Sequence, residues 1–77
     1  MGRASEKIVG IVTPFLAKRE GEMTTGLQTR LIAIGKGLDA STMTADQSMK
    51  SIDKVCKRVL QREDLKEIAK KLEKLRH

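Results

Sequence analysis

Residues 44–75 read TADQSMKSIDKVCKRVLQREDLKEIAKKLEKL, and the spacing of the apolar residues in this stretch decides the fold. Met49, Ile52, Cys56 and Val59 follow one another at intervals of three and four, and Leu65, Ile68, Leu72 and Leu75 repeat that rhythm. Such intervals place each set on one face of an α-helix, where a strand would need alternation every second residue. Thr44 and Gln47 have the spacing of a capping box, so a helix is expected from Thr44. The step from Val59 to Leu65 fits neither interval and divides the stretch into helices over Thr44–Arg62 and Asp64–Arg76. A single continuous rod is the alternative. Asp64 and Glu67 form a second cap pair of similar spacing.

Working outward, two more helices are expected. Thr25–Lys36 carries Leu27, Leu31, Ile34 and, just beyond it, Leu38 on one stripe, with Gly35 and Gly37 as left-handed C-cap candidates. Ala33 is small enough to admit a close neighbour. Ser5–Arg19 places Ile8, Ile11, Val12, Phe15 and Leu16 on one face, with Ser5 as N-cap. Pro14 denies a hydrogen bond inside this helix, which predicts a kink there or a restart with Thr13 as cap. The β-branched residues of Ile8–Val12 leave a short strand as the alternative over 8–12. The fold expected is therefore all-α, a small bundle of about four helices forming a single domain over residues 1–77.

The chain has 77 residues, one aromatic side chain (Phe15), no Trp and no Tyr. A domain this small hides only about 60% of the surface of its unfolded chain, so its aliphatic core is thin and association with a second copy is one way to bury more. Cys56 is alone, which excludes an internal disulfide and points to a reducing compartment or to indifference to redox state. No apolar run approaches the roughly 20 residues that span a bilayer. Ile8–Ala17 follows Arg3 and Lys7 in the order of a signal peptide, yet it contains Thr13 and Pro14 and leads into Lys18-Arg19-Glu20 without a small-residue cleavage site. Met1-Gly2 lacks the hydroxyl residue at position 6 that myristoylation favours, since Glu6 stands there. A soluble, cytoplasmic protein with no integral membrane association is expected.

Charge is distributed unevenly. Residues 50–77 hold ten of the sixteen Lys and Arg but only five of the ten acids, and so carry five of the chain's six net positive charges. On a helix continued to Arg62, the cations Lys50, Lys54, Lys57, Arg58 and Arg62, together with Gln61, share an arc of roughly 120° opposite the apolar stripe. Like charges four residues apart repel, and an acidic partner or phosphates would relieve that repulsion. These five cations are the candidate contacts for an acidic protein surface or a nucleic acid. Single-stranded nucleic acid is disfavoured because the one aromatic ring, Phe15, is expected on an apolar stripe, which leaves none to stack on bases. Anionic membrane surfaces suit the cations, but the apolar faces of the two cation-rich helices lack Trp or Phe anchors.

Ala33, Gly37, Leu38 and Met43 match, over about twenty residues, the pattern of small residue, glycine and two apolar positions that joins two helices in DNA-binding proteins. The segment 31–50 thereby resembles the helix-turn-helix family. The resemblance implies that Ala40, Ser41, Thr44 and Ala45 face the major groove of DNA. Lys36 and Asp46 depart from it, standing where that family packs apolar residues, and no Arg or Lys occupies the groove-facing positions.

Catalysis is not expected. His77 is the single imidazole and stands at the terminus. Cys56 falls on an apolar stripe, where a thiol behaves as a small hydrophobe. The acid pairs Glu20 with Glu22 and Glu63 with Asp64 fall in expected turns. No set of Cys and His could hold zinc, and the glycines form no phosphate-binding loop. No catalytic residue, metal ligand or cofactor is assigned. The function expected is binding or regulation through a protein partner or a second copy of the chain, with DNA or RNA as the alternative. Met49, Ile52, Cys56, Val59, Leu65, Ile68, Leu72 and Leu75 are the candidate apolar interface, and the adaptable side chains of Met23, Met43 and Met49 suit such a surface.

Overall fold

The computed structural model describes residues 3–75. Four helices make up the chain in the order α1 (Arg3–Lys18), α2 (Thr25–Asp39), α3 (Ala45–Val55) and α4 (Arg62–Lys74), with no strand among the described residues. None of them is long and apolar enough to cross a membrane. The bundle measures 31 × 25 × 17 Å, and α1 packs most extensively on α2.

The apolar stripes meet in one core. Ile8, Val12 and Leu16 from α1 face Leu31 and Ile34 of α2, Ile52 of α3, and Ile68 and Leu72 of α4, all buried. Residues 8–12 are thus helix, with Ile8 and Val12 fully enclosed. α1 continues through Pro14 without restarting. Gly10, whose carbonyl loses its donor, and Pro14 both lie on the exposed face, so water is at hand for that carbonyl. The Thr13 hydroxyl donates instead to the Val9 carbonyl at 2.6 Å.

Helix starts follow the hydroxyl signals in the middle of the chain. The Leu27 N–H donates to Thr24 Oγ1 at 3.1 Å. The capping box of α3 is complete: the Gln47 N–H donates to Thr44 Oγ1 at 3.1 Å, and the Thr44 N–H to Gln47 Oε1 at 2.9 Å. The other two starts need correction. Ser5 does not cap α1, which begins at Arg3. Its first turn is capped from another helix, the Asp39 carboxylate accepting from the N–H groups of Ala4 (2.9 Å) and Ser5 (3.1 Å). Burial pushes the Asp39 carboxyl up, but these N–H groups outweigh it and hold the group below its ordinary value. Asp64 is not the cap residue of α4 either. It sits in the first turn and accepts from the Gln61 N–H at 2.9 Å, so Gln61 is the residue at the cap position.

Three of the helix ends share one form of closure. α1, α2 and α3 each close with an N–H reaching back five residues: Gly21 to Leu16, Thr42 to Gly37, and Arg58 to Asp53. This closure needs one residue in the left-handed region, which glycine favours. Here Glu20 (φ 60), Ser41 (φ 59) and Lys57 (φ 55) occupy it, followed in the last case by Arg58 (φ 59), while no described glycine has positive φ. Gly35 and Gly37 are therefore interior to α2, which runs to Asp39 rather than Lys36. α3 ends at Val55 rather than Arg62, because Lys57 and Arg58 turn the chain. α4 begins at Arg62 and ends at Lys74; the end expected at Arg76 lies outside the described residues.

The small residue that admits a neighbour is Gly35, not Ala33, which is exposed. A Cβ on Gly35 would stand 2.6 Å from the Cα of Ser5. That close approach lets Asp39 reach the start of α1.

Candidate functional site

The α1–α2 and α3–α4 connections share one end of the bundle. Gly21 lies against the Val59 side chain, and Arg19 bridges to the start of α4. This bridge gathers Glu63 and Asp64, while Glu20 and Glu22 of the α1–α2 connection stay exposed at the same end. Arg19 donates from Nε to Asp64 Oδ2 at 2.8 Å, and from its terminal nitrogen to Asp64 Oδ1 at 3.1 Å and Glu63 Oε1 at 2.9 Å. Lys18 Nζ is 3.7 Å from Asp64 Oδ1. Asp64 is 1% exposed, so a charge-assisted fork of this kind must offset its desolvation. The Arg19 guanidinium, aided by the Gln61 N–H, holds the Asp64 carboxyl down at about 2.

The cations are left facing outward. Lys50 and Lys54 on α3, Lys57 and Arg58 in the connection, and Arg62 at the start of α4 are all exposed. Among the described residues none of the five forms an ion pair. They do not form the helical ridge expected, because α3 stops before Lys57. Instead Lys54, Lys57, Arg58 and Arg62 cluster by chain proximity around the α3–α4 turn.

The candidate apolar interface separates into two groups. Ile52, Cys56, Ile68 and Leu72 are enclosed within one copy and cannot also serve a second one. Met49, Val59, Leu65 and Leu75 are half-buried and reach the surface. Two grooves make use of three of them, Leu65 lining neither. At the end opposite the cations, a groove of about 570 Å³ brings Met49 and Leu75 together with Leu38, Ala45 and Ala69, beside Arg3, Asp39 and Glu73. At the cationic end, a groove of about 420 Å³ is lined by Leu16, Leu27, Val55 and Val59, with Arg30, Lys57 and Glu22 as its charged members.

Arg30 and Leu38 were not among the residues expected at a site. Nothing local marks Arg30, since α2 and the α3–α4 turn meet only in the folded chain. Asp39 did carry a signal. An acid in the last turn of a helix opposes the helix dipole, and such a placement suggests a donor elsewhere.

The helix-turn-helix pattern finds partial counterparts. Ala40, Ser41, Thr44 and Ala45 are exposed, as that resemblance implies. Gly37, however, lies inside α2 and not at the turn, and Ala33 is exposed where the pattern packs a small residue against the second helix.

The Cys56 thiol is buried, and burial pushes it up to about 11 with a further contribution from Asp53, so at neutral pH it is protonated. Among the described residues no group of three His, Cys, Asp or Glu side chains is placed to hold a metal ion. Every buried side-chain nitrogen and oxygen described has a hydrogen-bond partner, Ser48 included, whose hydroxyl donates to the Thr44 carbonyl at 2.9 Å. Compared with protein-family models, curated proteins and solved structures, the chain matches none.

Proposed function

We propose that the chain is a non-catalytic helical binding module that acts through protein–protein association, docking an acidic surface of its partner on the end of the bundle that bears Lys54, Lys57, Arg58 and Arg62. One observation carries this reading: Arg19 takes up two of the acids at that end, Glu63 and Asp64, while the four cations stay exposed and unpaired among the described residues and outnumber the remaining acids there, Glu20, Glu22 and Asp53. Uncompensated like charge raises the local potential and favours a partner of opposite sign, both in encounter rate and in choice of partner. Self-association is the weaker branch. Four of the eight seam residues are used inside one copy, and two copies of a chain with net charge +6 repel at their basic ends.

The test is affinity capture at low and high salt, with and without nuclease, beside the triple variant K54E/K57E/R58E. The expected result is a protein retained at low salt, released at high salt, indifferent to nuclease and absent with the variant. Retention that nuclease abolishes would replace this reading with nucleic-acid association, whose salt dependence is similar but whose ligand is not a protein.

A further inference from the structure

We propose that the groove between the α1–α2 turn and the α3–α4 turn receives an acidic peptide segment of the partner, in which an aliphatic side chain is flanked by carboxylates. This rests on the reading of the cationic end given above and goes further by naming the recognition element. The groove offers both chemistries at once. Its apolar lining comes from Leu16, Leu27, Val55 and Val59, the valines half-exposed, and its volume of about 420 Å³ is at the small end of ligand sites, fit for one or two side chains. Its charge favours an anion: among the lining residues Arg30 and Lys57 stand against Glu22, and in the adjoining turns the exposed Lys54 and Arg58 stand against Glu20.

The backbone at its lip supports an extended chain as occupant. Gly26 lies in the first turn of α2, where a Cβ would meet nothing nearer than Thr24 Oγ1 at 4.0 Å, so packing within the chain does not require a glycine there. A bare backbone at the lip of a groove admits close approach by another backbone. α2 also opens at this groove with no acidic residue in its first turn, so Glu22, two residues ahead of the cap, is the one lining acid near the positive end of its dipole. The larger groove at the other end, with Arg3 beside Asp39 and Glu73, shows no such preference for an acidic ligand.

The experiment is a titration of the full chain, followed by amide chemical shifts, with two capped octapeptides. One alternates Glu-Asp with Leu, and the other has Ser in place of each Leu. The leucine peptide is expected to bind saturably, to shift Gly21, Gly26, Lys57 and Val59 most, and to bind about tenfold more tightly than the serine peptide, the difference that burial of one leucine supplies. The double variant R30E/K57E, altered only at exposed positions, is expected to weaken the leucine peptide at least tenfold while keeping the dispersed spectrum of the folded chain. The milder Gly26→Ala is expected to weaken it with stability unchanged or raised. Equal affinities for the two peptides, with salt-sensitive shifts at Lys54 to Arg58, would overturn the groove and leave the cationic-end reading standing. Shifts centred on Leu38 and Leu75 would also overturn it. No shift by either peptide at millimolar concentration would sink both.

Discussion

Replacing Gly35 by alanine tests the contact on which the bundle closes. The added Cβ would lie 2.6 Å from Ser5 Cα, 2.7 Å from Ser5 N and 2.8 Å from the Ala4 carbonyl carbon. Carbon atoms not bonded to each other rest at about 3.5–4.0 Å, so α1 and α2 must part by roughly 1 Å. All three obstructing atoms are backbone, and no rotamer change can yield. Overpacking of this kind costs about 1–3 kcal/mol. Parting the helices also pulls the Ala4 and Ser5 N–H groups from Asp39, and hydrogen bonds to a charged group are worth about 1.5–3 kcal/mol each. The better helix propensity of alanine returns about 1 kcal/mol. The net expectation is a loss of at least about 3 kcal/mol, a large share of the roughly 4–12 kcal/mol that holds a domain of this length together. Urea unfolding followed by far-ultraviolet circular dichroism measures it, and Tm should fall by more than about 10 °C. Gly10→Ala is the matched control. It is exposed within α1 with nothing within 4 Å of its Cβ, and should raise stability by about 0.5–1 kcal/mol. A Gly35→Ala protein as stable as the parent, with the same m-value, would refute the close approach and the cap it permits.

Further expectations concern the charges, the turns and the thiol. Asp64→Asn leaves Arg19 without its main partner and should cost about 3 kcal/mol, as losing one side of a buried pair does. The Asp64 carboxyl titrates lower in the folded chain (about 2) than at its ordinary value of 3.8, so its contribution is full above about pH 4 and fades as pH falls towards 2. The stability difference between parent and Asp64→Asn should shrink over that window, and a constant difference would contradict the assignment. Glu20→Gly, Ser41→Gly and Lys57→Gly each relieve a left-handed residue and should each stabilise by about 0.5–1 kcal/mol, while Ala17→Gly, inside α1, should cost about 1 kcal/mol in the same unfolding assay. Cys56, buried and protonated, should react with a thiol reagent only as fast as the chain opens, and urea should accelerate that reaction; fast labelling of the native chain would show the thiol to be accessible.

What could be read from the residues alone follows the range of the forces involved. Hydroxyl caps act over three residues, and Thr24, and Thr44 with Gln47, mark their helices accordingly. Apolar spacing acts over a turn or two, and it correctly assembles Ile52 with Cys56 and Ile68 with Leu72. It also misled. Val59 continues the rhythm of Met49, Ile52 and Cys56, although two left-handed residues, Lys57 and Arg58, separate it from α3. Those residues are basic, not glycine, so nothing in their chemistry announces a turn, and the ridge of cations extrapolated through them does not exist. The clustering of the same cations survives because they are neighbours along the chain. Contacts between distant segments were invisible: Asp39 against α1, Arg19 against Asp64, and Arg30 in the groove with Lys57. Their common cause is that charge pairs have no periodicity.

Both ends of α1 are fastened by carboxylates from other helices, Asp39 over its first turn and Asp64 on the arginine just past its last. Terminal turns of helices ordinarily fray and exchange their amide hydrogens well before the rest of the protein opens. In this chain the Ala4 and Ser5 amides are held from outside their own helix, so they should exchange with deuterium nearly as slowly as the amides of the core. α1 then unravels together with the whole or stays intact, which makes it the rigid spine of the bundle.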